Sequence, residues 1–215
     1  MTNTLTGILL AASAGLNAYI PLLCLALADK ATTSIELSRP FDVISSTAGI
    51  VVLLSLLTVD LIVDKIPRLD HLNDLVSTAL RPASGMFLVM AVTDGKGEID
   101  EVLAMMIGLL IAGAIHAYKA INRVKMATQS TGAGNPLVSL VEDAMSAMVT
   151  ILALTLPWVG AAFAGFAGFS LAWFYRVVPN SFGSRRPVPS SPSNVGVGQS
   201  GDPSLNRDAE ENTRA

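Results

Sequence analysis

The sequence has few charged residues, few aromatic residues and a single cysteine. Charged side chains make up 14% of the 215 residues, whereas a soluble domain averages about a quarter, so a purely soluble protein is disfavoured. The net charge of -3 excludes a nucleic-acid binder that depends on a basic surface. One cysteine, Cys24, excludes an internal disulfide framework and a multi-cysteine metal site. Hydrophobic residues make up 51% of the sequence and aromatic residues only 6%. This composition is typical of membrane helices that pack through small aliphatic residues.

Long apolar runs predict an all-α fold, a polytopic membrane helix bundle of about six spans. The uncharged run from residue 5 to residue 28 is long enough to cross a hydrocarbon core of about 30 Å. Further spans are predicted at residues 43–63, 102–118, 136–156 and 158–175. Residues 75–92 are interrupted by Arg81-Pro82, so they form either one broken span or a re-entrant hairpin.

Composition divides the chain into a helix bundle over residues 1–178 and a disordered polar tail over residues 179–215. The tail is rich in Pro, Ser, Gly and Asn, and its four arginines and four acidic residues cancel. In a six-span topology, nine lysines and arginines lie on one side of the membrane and three on the other. Because basic residues accumulate in cytoplasmic loops, the sequence predicts a multi-pass plasma-membrane protein with both termini in the cytoplasm.

Asn17 lies in the middle of the first predicted span, four residues before Pro21. Proline has no N–H, so the carbonyl oxygen of residue 17 loses its helical partner. In lipid, both this carbonyl and the amide side chain need hydrogen bonds. The pair indicates either part of an ion or polar-substrate site in a broken helix, or a packing kink whose amide binds a neighbouring helix.

A polar block that begins at Asp64 continues as a stripe along one predicted helix face. The members of this first polar stripe are spaced i, i+3, i+4, i+7 and i+11, and they are Asp70, Asn73, Asp74, Ser77 and Arg81. One interpretation is an amphipathic helix at the membrane surface. The other is a polar cavity in which the carboxylates and the guanidinium pair.

A second polar stripe follows Asn135, which is the predicted N-cap of the next helix. Its members share one face at i, i+3, i+4 and i+7, and they are Ser139, Glu142, Asp143 and Ser146. Ionisable groups inside an apolar helix usually line a cavity or pair with one another. The alternative is that this helix starts outside the membrane, with both acids solvated.

Two rows of small residues predict close contacts between helices. His116 shares its row with Gly108, Ala112 and Ala120, so it faces protein, either as a hydrogen-bonded packing residue or as a proton relay. The second row predicts a packing seam or a homodimer face, and its members are Gly160, Ala164 and Gly168.

Two matches within the chain suggest a weak internal repeat of the inverted kind that is found in transporters. Residues 17–19 match residues 116–118 at an offset of 99, and the two polar stripes match at an offset of 69. In the six-span topology the helices that contain residues 17–19 and 116–118 cross the membrane in opposite directions, whereas the helices of the two stripes cross it in the same direction. The repeat and the topology therefore disagree.

Four segments resemble a family of small bacterial integral membrane proteins that is known only as a domain of unknown function. The segments are AGLNAYIP at 14–21, DKIPRLDHLND at 64–74, RPASG at 81–85 and NPLVSLVED at 135–143. The resemblance covers about residues 5–178 and implies a protein of the bacterial inner membrane. It implies no activity.

These features favour a small transporter or permease that moves a small ion, or a polar or anionic lipid-like solute, across the lipid bilayer. Carboxylates such as Asp74 and Asp143 would bind a proton or a cation, in a site formed by Asn17 and the two polar stripes. One alternative is a membrane enzyme acting on lipid phosphates, for which Asp70, His71, Asp74 and Arg81 are suitable residue types, although known signatures are incomplete. The other is a non-catalytic assembly partner. No cofactor is indicated.

Overall fold

A computed structural model describes residues 2–32, 35–63, 70–94, 97–129 and 135–182. Within these ranges, the side chains of residues 70–74, 124–129, 135–137, 175 and 178–182 lie outside the description. The described chain is helical and contains no strand, which confirms the all-α class. Its α-helices are α1 Thr2–Leu16, α2 Tyr19–Ala31, α3 Thr47–Val63, α4 Asp70–Thr93, α5 Glu101–Gln129, α6 Asn135–Thr155 and α7 Pro157–Phe182, and a short 3₁₀ helix covers Phe41–Ser45.

Four of these helices have the length and apolar composition of a membrane span. The four segments are Leu75–Thr93, Glu101–Arg123, Val138–Thr155 and Pro157–Phe174. The chain is therefore a helical membrane protein, but the predicted count of six spans is not confirmed. α3 is apolar but shorter, and the first predicted span is divided between α1 and α2.

The division of the first span falls at Asn17 and Ala18, where the sequence left open a broken helix or a packing kink. α1 ends at Leu16 and α2 begins at Tyr19. Pro21 lies in the first turn of α2, where a helix tolerates proline. The uncharged run is therefore two short helices with an interruption between them.

α4 is one continuous helix from Asp70 to Thr93, with Pro82 inside it. The prediction of a break or a re-entrant hairpin at Arg81-Pro82 is wrong. A proline removes only one backbone hydrogen bond, and in a bundle neighbouring groups can satisfy the freed carbonyl. The first polar stripe and the apolar stretch that follows it therefore belong to a single membrane-length helix.

α1 lies at the centre of the bundle, where it packs against α4, α5, α6 and α7. Leu10 and Ala14 of α1 are fully buried, together with Leu88 of α4 and Ala153 of α6. Because α1 is surrounded by helices, the polar groups at its C-terminal end also lie in the interior.

α4 and α5 approach each other through glycines. A Cβ atom on Gly108 would lie 2.3 Å from the carbonyl oxygen of Gly85, and a Cβ atom on Gly85 would lie 2.4 Å from the Cβ of Ala112. A Cβ atom on Gly15 of α1 would likewise lie 2.8 Å from the carbonyl oxygen of Ala112. The small-residue row beside His116 therefore faces protein, as predicted, and locks α1, α4 and α5 together.

The later helix boundaries follow the predicted signals. α6 begins at Asn135 and ends at Thr155, just before the proline that starts α7. α7 continues to Phe182. The predicted disordered tail begins at residue 179, so its first four residues belong to α7. Residues 183–215 lie outside the described residues, and the two-part division of the chain stays a prediction.

The structure does not support the internal repeat. Asn17 lies at the interruption between two helices, whereas His116, its counterpart in the first match, lies inside the uninterrupted α5. The two segments therefore have different local structures.

Candidate functional site

Asn17 caps α2 from within the interruption. Its Oδ1 accepts hydrogen bonds from the backbone N–H groups of Tyr19, at 3.0 Å, and Ile20, at 3.3 Å. In an unbroken helix these two groups would donate to the carbonyls of Gly15 and Leu16. The asparagine side chain therefore starts a new helix, in the manner of an N-cap, and releases two carbonyls at the end of α1.

Buried cations bind the two released carbonyls. Nη1 of Arg81 donates to the carbonyl oxygen of Gly15 at 3.5 Å, and Nζ of Lys119 donates to that of Leu16 at 3.0 Å. Both cationic residues are only 2% exposed. The C-terminal end of a helix carries partial negative charge, so α1 offers these cations a favourable position inside the bundle.

The amide nitrogen of Asn17 joins two carboxylates from different helices. Nδ2 donates to Oδ2 of Asp60 on α3 at 3.1 Å and to Oδ1 of Asp143 on α6 at 2.9 Å. Asp60 and Asp143 are both buried. Their oxygen atoms therefore lie within two hydrogen-bond lengths of each other, in the interior.

Glu142, which is completely buried, binds Lys119 and one further cation, Arg123. Its Oε2 lies 2.6 Å from Nζ of Lys119 and 3.4 Å from Nη2 of Arg123, both on α5. Lys119 therefore links Glu142 of α6 to the carbonyl of Leu16 at the end of α1.

His116 of α5 contacts two residues of α4, Arg81 and Thr78. Its Nδ1 lies 3.4 Å from Nη1 of Arg81, and its Nε2 lies 3.1 Å from Oγ1 of Thr78. A guanidinium group can only donate, so Nδ1 accepts, and a neutral ring then carries its proton on Nε2 and donates it to Thr78. We call the whole assembly the polar centre, and its members are Asn17, Asp60, Arg81, His116, Lys119, Arg123, Glu142 and Asp143.

Hydroxyl groups of Ser13, Ser146 and Thr150 join α1 to α6. Oγ of Ser13 lies 2.8 Å from Oγ of Ser146 and 2.6 Å from Oγ1 of Thr150, and all three residues are buried. This contact holds α6 against α1 one turn away from Asn17.

The structure brings together five of the residues that the sequence singled out, namely Asn17, Arg81, His116, Glu142 and Asp143. Three serines of the two stripes are buried on the inner helix faces, and they are Ser77, Ser139 and Ser146. Asp64 lies outside the described residues, and so do the side chains of Asp70, Asn73, Asp74 and Asn135.

Burial decides between the interpretations of the two stripes. All four members of the second stripe are buried, so the alternative with solvated acids is wrong. In the first stripe, Ser77 and Arg81 face the interior, whereas Leu75 is 72% exposed. In a helix of membrane length, this arrangement puts the apolar face towards lipid and the described end of the stripe inside the bundle.

Asp60, Lys119 and Arg123 are site residues that were not predicted from the sequence. Asp60 ends an apolar run, and the two basic residues follow the predicted end of their span, so all three look like charges at the membrane surface. The missed signal was the spacing of Lys119 and Arg123, three and seven residues after His116 on one helix face. Because Arg81, Lys119 and Arg123 are buried, they do not count as loop charges, and the orientation of the termini stays a prediction.

The described side chains do not contain three His, Cys, Asp or Glu residues placed to hold one metal ion. In the second row of small residues, Gly160 packs against α6, since a Cβ atom there would lie 3.1 Å from the backbone nitrogen of Ala153. A Cβ atom on Gly168 would contact nothing within 4 Å. Part of the row is thus an internal seam, and the homodimer stays a prediction.

Comparison with known proteins gives one match. No curated protein and no solved structure matches the chain. A family model described as Domain of unknown function (DUF4126) matches residues 4–177. This range contains every residue of the polar centre and confirms the resemblance carried by the four segments. The chain belongs to the DUF4126 family.

Proposed function

We propose that this protein is a small secondary transporter whose polar centre binds a proton or another cation. The observation that carries the proposal is the interruption at Asn17, where one buried amide holds the carboxylates of Asp60 and Asp143. Discontinuous helices that meet inside the bundle form the ion and substrate sites of many secondary transporters.

The paired carboxylates supply the chemistry of cation binding. Two carboxylates at this distance repel each other when both are ionised, and a proton or a cation between them removes the repulsion. Protonation of Asp143 would also weaken its hydrogen bond from Asn17. Binding at this pair would therefore change the hydrogen bonding of Asn17 at the junction of α1 and α2.

The cost of burying charge favours a functional role over a purely structural one. The six ionisable residues of the polar centre other than His116 are three acids and three bases, all buried. Each buried ion costs several kcal/mol of desolvation, and well-packed apolar residues often replace such ions without loss of stability. Charged groups inside a membrane bundle therefore mark a functional site by default.

The packing also supports a moving part. α1, α4 and α5 are locked by glycine contacts, whereas α2 and α3, which also pack against α6 and α4, join the polar centre through the hydrogen bond between Asn17 and Asp60. Only Asn17 and Ala18 separate α1 from α2. Rotation at these two residues would open the centre to one side of the membrane and then to the other.

Charge movement after a pH jump tests the proposal. Proteoliposomes of the full chain on a capacitive sensor are expected to give a transient current when the pH falls, because protons bind within the membrane. Asp143→Asn, which removes one of the paired carboxylates, is expected to weaken proton binding at least about tenfold, corresponding to a change of about 1.4 kcal/mol, and so to remove most of the displaced charge.

The matched control is Asp42→Asn. Asp42 forms an exposed ion pair with Arg39, and its side chain is 45% exposed. This variant is expected to give the wild-type current. A wild-type signal no larger than that of empty liposomes, or an unchanged signal from Asp143→Asn, would contradict the proposal.

A further inference from the structure

A second feature of the interior is an apolar groove between α1, α5, α6 and α7. It has a volume of about 420 Å³, and its lining includes Ala12 of α1, Ile115 of α5, Val149 of α6 and Leu171 of α7. Along α7 the lining extends from Ala164 to Arg176. Twelve helical residues correspond to about 18 Å, so the groove is long and narrow.

These dimensions fit one acyl chain. One leaflet of a bilayer contributes about half of a hydrocarbon core of about 30 Å, which is close to the length of the groove. The lining is aliphatic for most of this length, and an exposed arginine, Arg176, lies at one end of it. An apolar chain attached to an anionic head group has the complementary shape and charge.

The groove lies beside the polar centre. A smaller cavity of about 140 Å³ is lined by Glu142 and Ser170, and it shares Met145 and Leu171 with the groove. The groove therefore adjoins a cavity that is lined by Glu142, the buried carboxylate that binds Lys119.

We propose that the groove binds an anionic phospholipid, with one acyl chain along α7 and the phosphate at Arg176. A helix from a second copy fits less well, because a helix with its side chains is about 10 Å wide, whereas α5 and α7 are close enough to contact each other. Lipid binding in this groove does not depend on the proposed transport, and it can be tested without it.

Native mass spectrometry of the full chain in detergent tests this proposal. We expect the wild type to retain phosphatidylglycerol in preference to phosphatidylcholine. Gly168→Leu places a side chain into the groove, where a Cβ atom meets no other atom within 4 Å, so it should fold. It is expected to weaken phosphatidylglycerol binding at least about tenfold.

Two other variants complete the experiment. Gly165→Leu is the matched control, because Gly165 is equally open on the same helix but does not line the groove, and it should bind as the wild type does. Arg176→Gln should lose the preference for phosphatidylglycerol and keep binding to both lipids. The proposal is overturned if Gly168→Leu binds phosphatidylglycerol as tightly as Gly165→Leu, or if it dissociates a dimer and leaves lipid binding unchanged.

Discussion

Glu142→Gln is expected to destabilise the protein more than any other single charge removal in the polar centre. The variant leaves Lys119 and Arg123 buried without the carboxylate that binds both of them. Breaking a buried ion pair by removing one partner costs about 3–5 kcal/mol. We expect a large decrease in the melting temperature of the purified protein in detergent, together with a lower yield of monodisperse protein.

Two further variants distinguish the loss of the buried ion pairs from the effect of replacing any glutamate by glutamine. Glu101→Gln makes the same chemical change at an exposed position in the first turn of α5, and such surface substitutions usually stay within about 0.5 kcal/mol. Adding Lys119→Met to Glu142→Gln removes one of the two cations that lose the Glu142 carboxylate. The loss of stability in the double variant should therefore be smaller than the sum of the losses in the two single variants. If Glu142→Gln melts like Glu101→Gln, the ion pairs do not stabilise the centre.

Asn17→Asp is expected to have the second large effect, and this effect depends on pH. Aspartate can still cap α2, but it adds a third carboxylate where Asn17 donates to Asp60 and Asp143. Each buried acceptor that loses its donor costs about 1–3 kcal/mol, and repulsion between like charges adds to this cost. The melting temperature should therefore fall strongly at pH 8.

The sign of the pH dependence follows from protonation. Carboxylates bind protons as the pH falls, which removes the repulsion and restores a donor, so the loss of stability in Asn17→Asp should be smaller at pH 5 than at pH 8. Asn122→Asp is the control, because Asn122 donates only to the Tyr118 carbonyl of its own helix among its described contacts. An equal loss at both pH values for Asn17→Asp would mean that Asn17 does not join two carboxylates.

The part of the site that could be predicted from the sequence consists of polar residues inside apolar runs. An amide in an uncharged run, followed by Pro21, indicates either a broken or a kinked helix at Asn17, because both features disturb a helix in lipid. Glu142 and Asp143 in an apolar helix likewise predict an inward face. The structure places these three residues in one polar centre.

Basic residues at the ends of spans could not be assigned in the same way. Lys119 and Arg123 have long side chains that can extend to the membrane surface or remain inside and pair with an acid. The choice depends on the position of Glu142 on a neighbouring helix, which is a tertiary contact. The same holds for Asp60, whose partner Asn17 lies 43 residues away in the chain.

The backbone at Pro82 also depends on tertiary contacts that the local sequence does not reveal. A proline in a soluble helix usually ends or kinks it, whereas a membrane bundle can satisfy the freed carbonyl from a neighbouring group. The residues around a proline therefore do not decide whether its helix is broken or continuous. In this protein α4 packs against α1 and α5 and stays helical through residue 82.

The central claim, that the centre opens to both sides of the membrane at the α1–α2 interruption, is tested most directly by thiol accessibility. Ala18 is 3% exposed, so a reagent reaches it only when the centre opens. With Cys24→Ser removing the native thiol, Ala18→Cys should react with a membrane-impermeant maleimide from either face of sided membrane vesicles. Thr32→Cys, at the exposed end of α2, should react from one face only. Labelling of Ala18→Cys from one face alone, or from neither, would contradict the account.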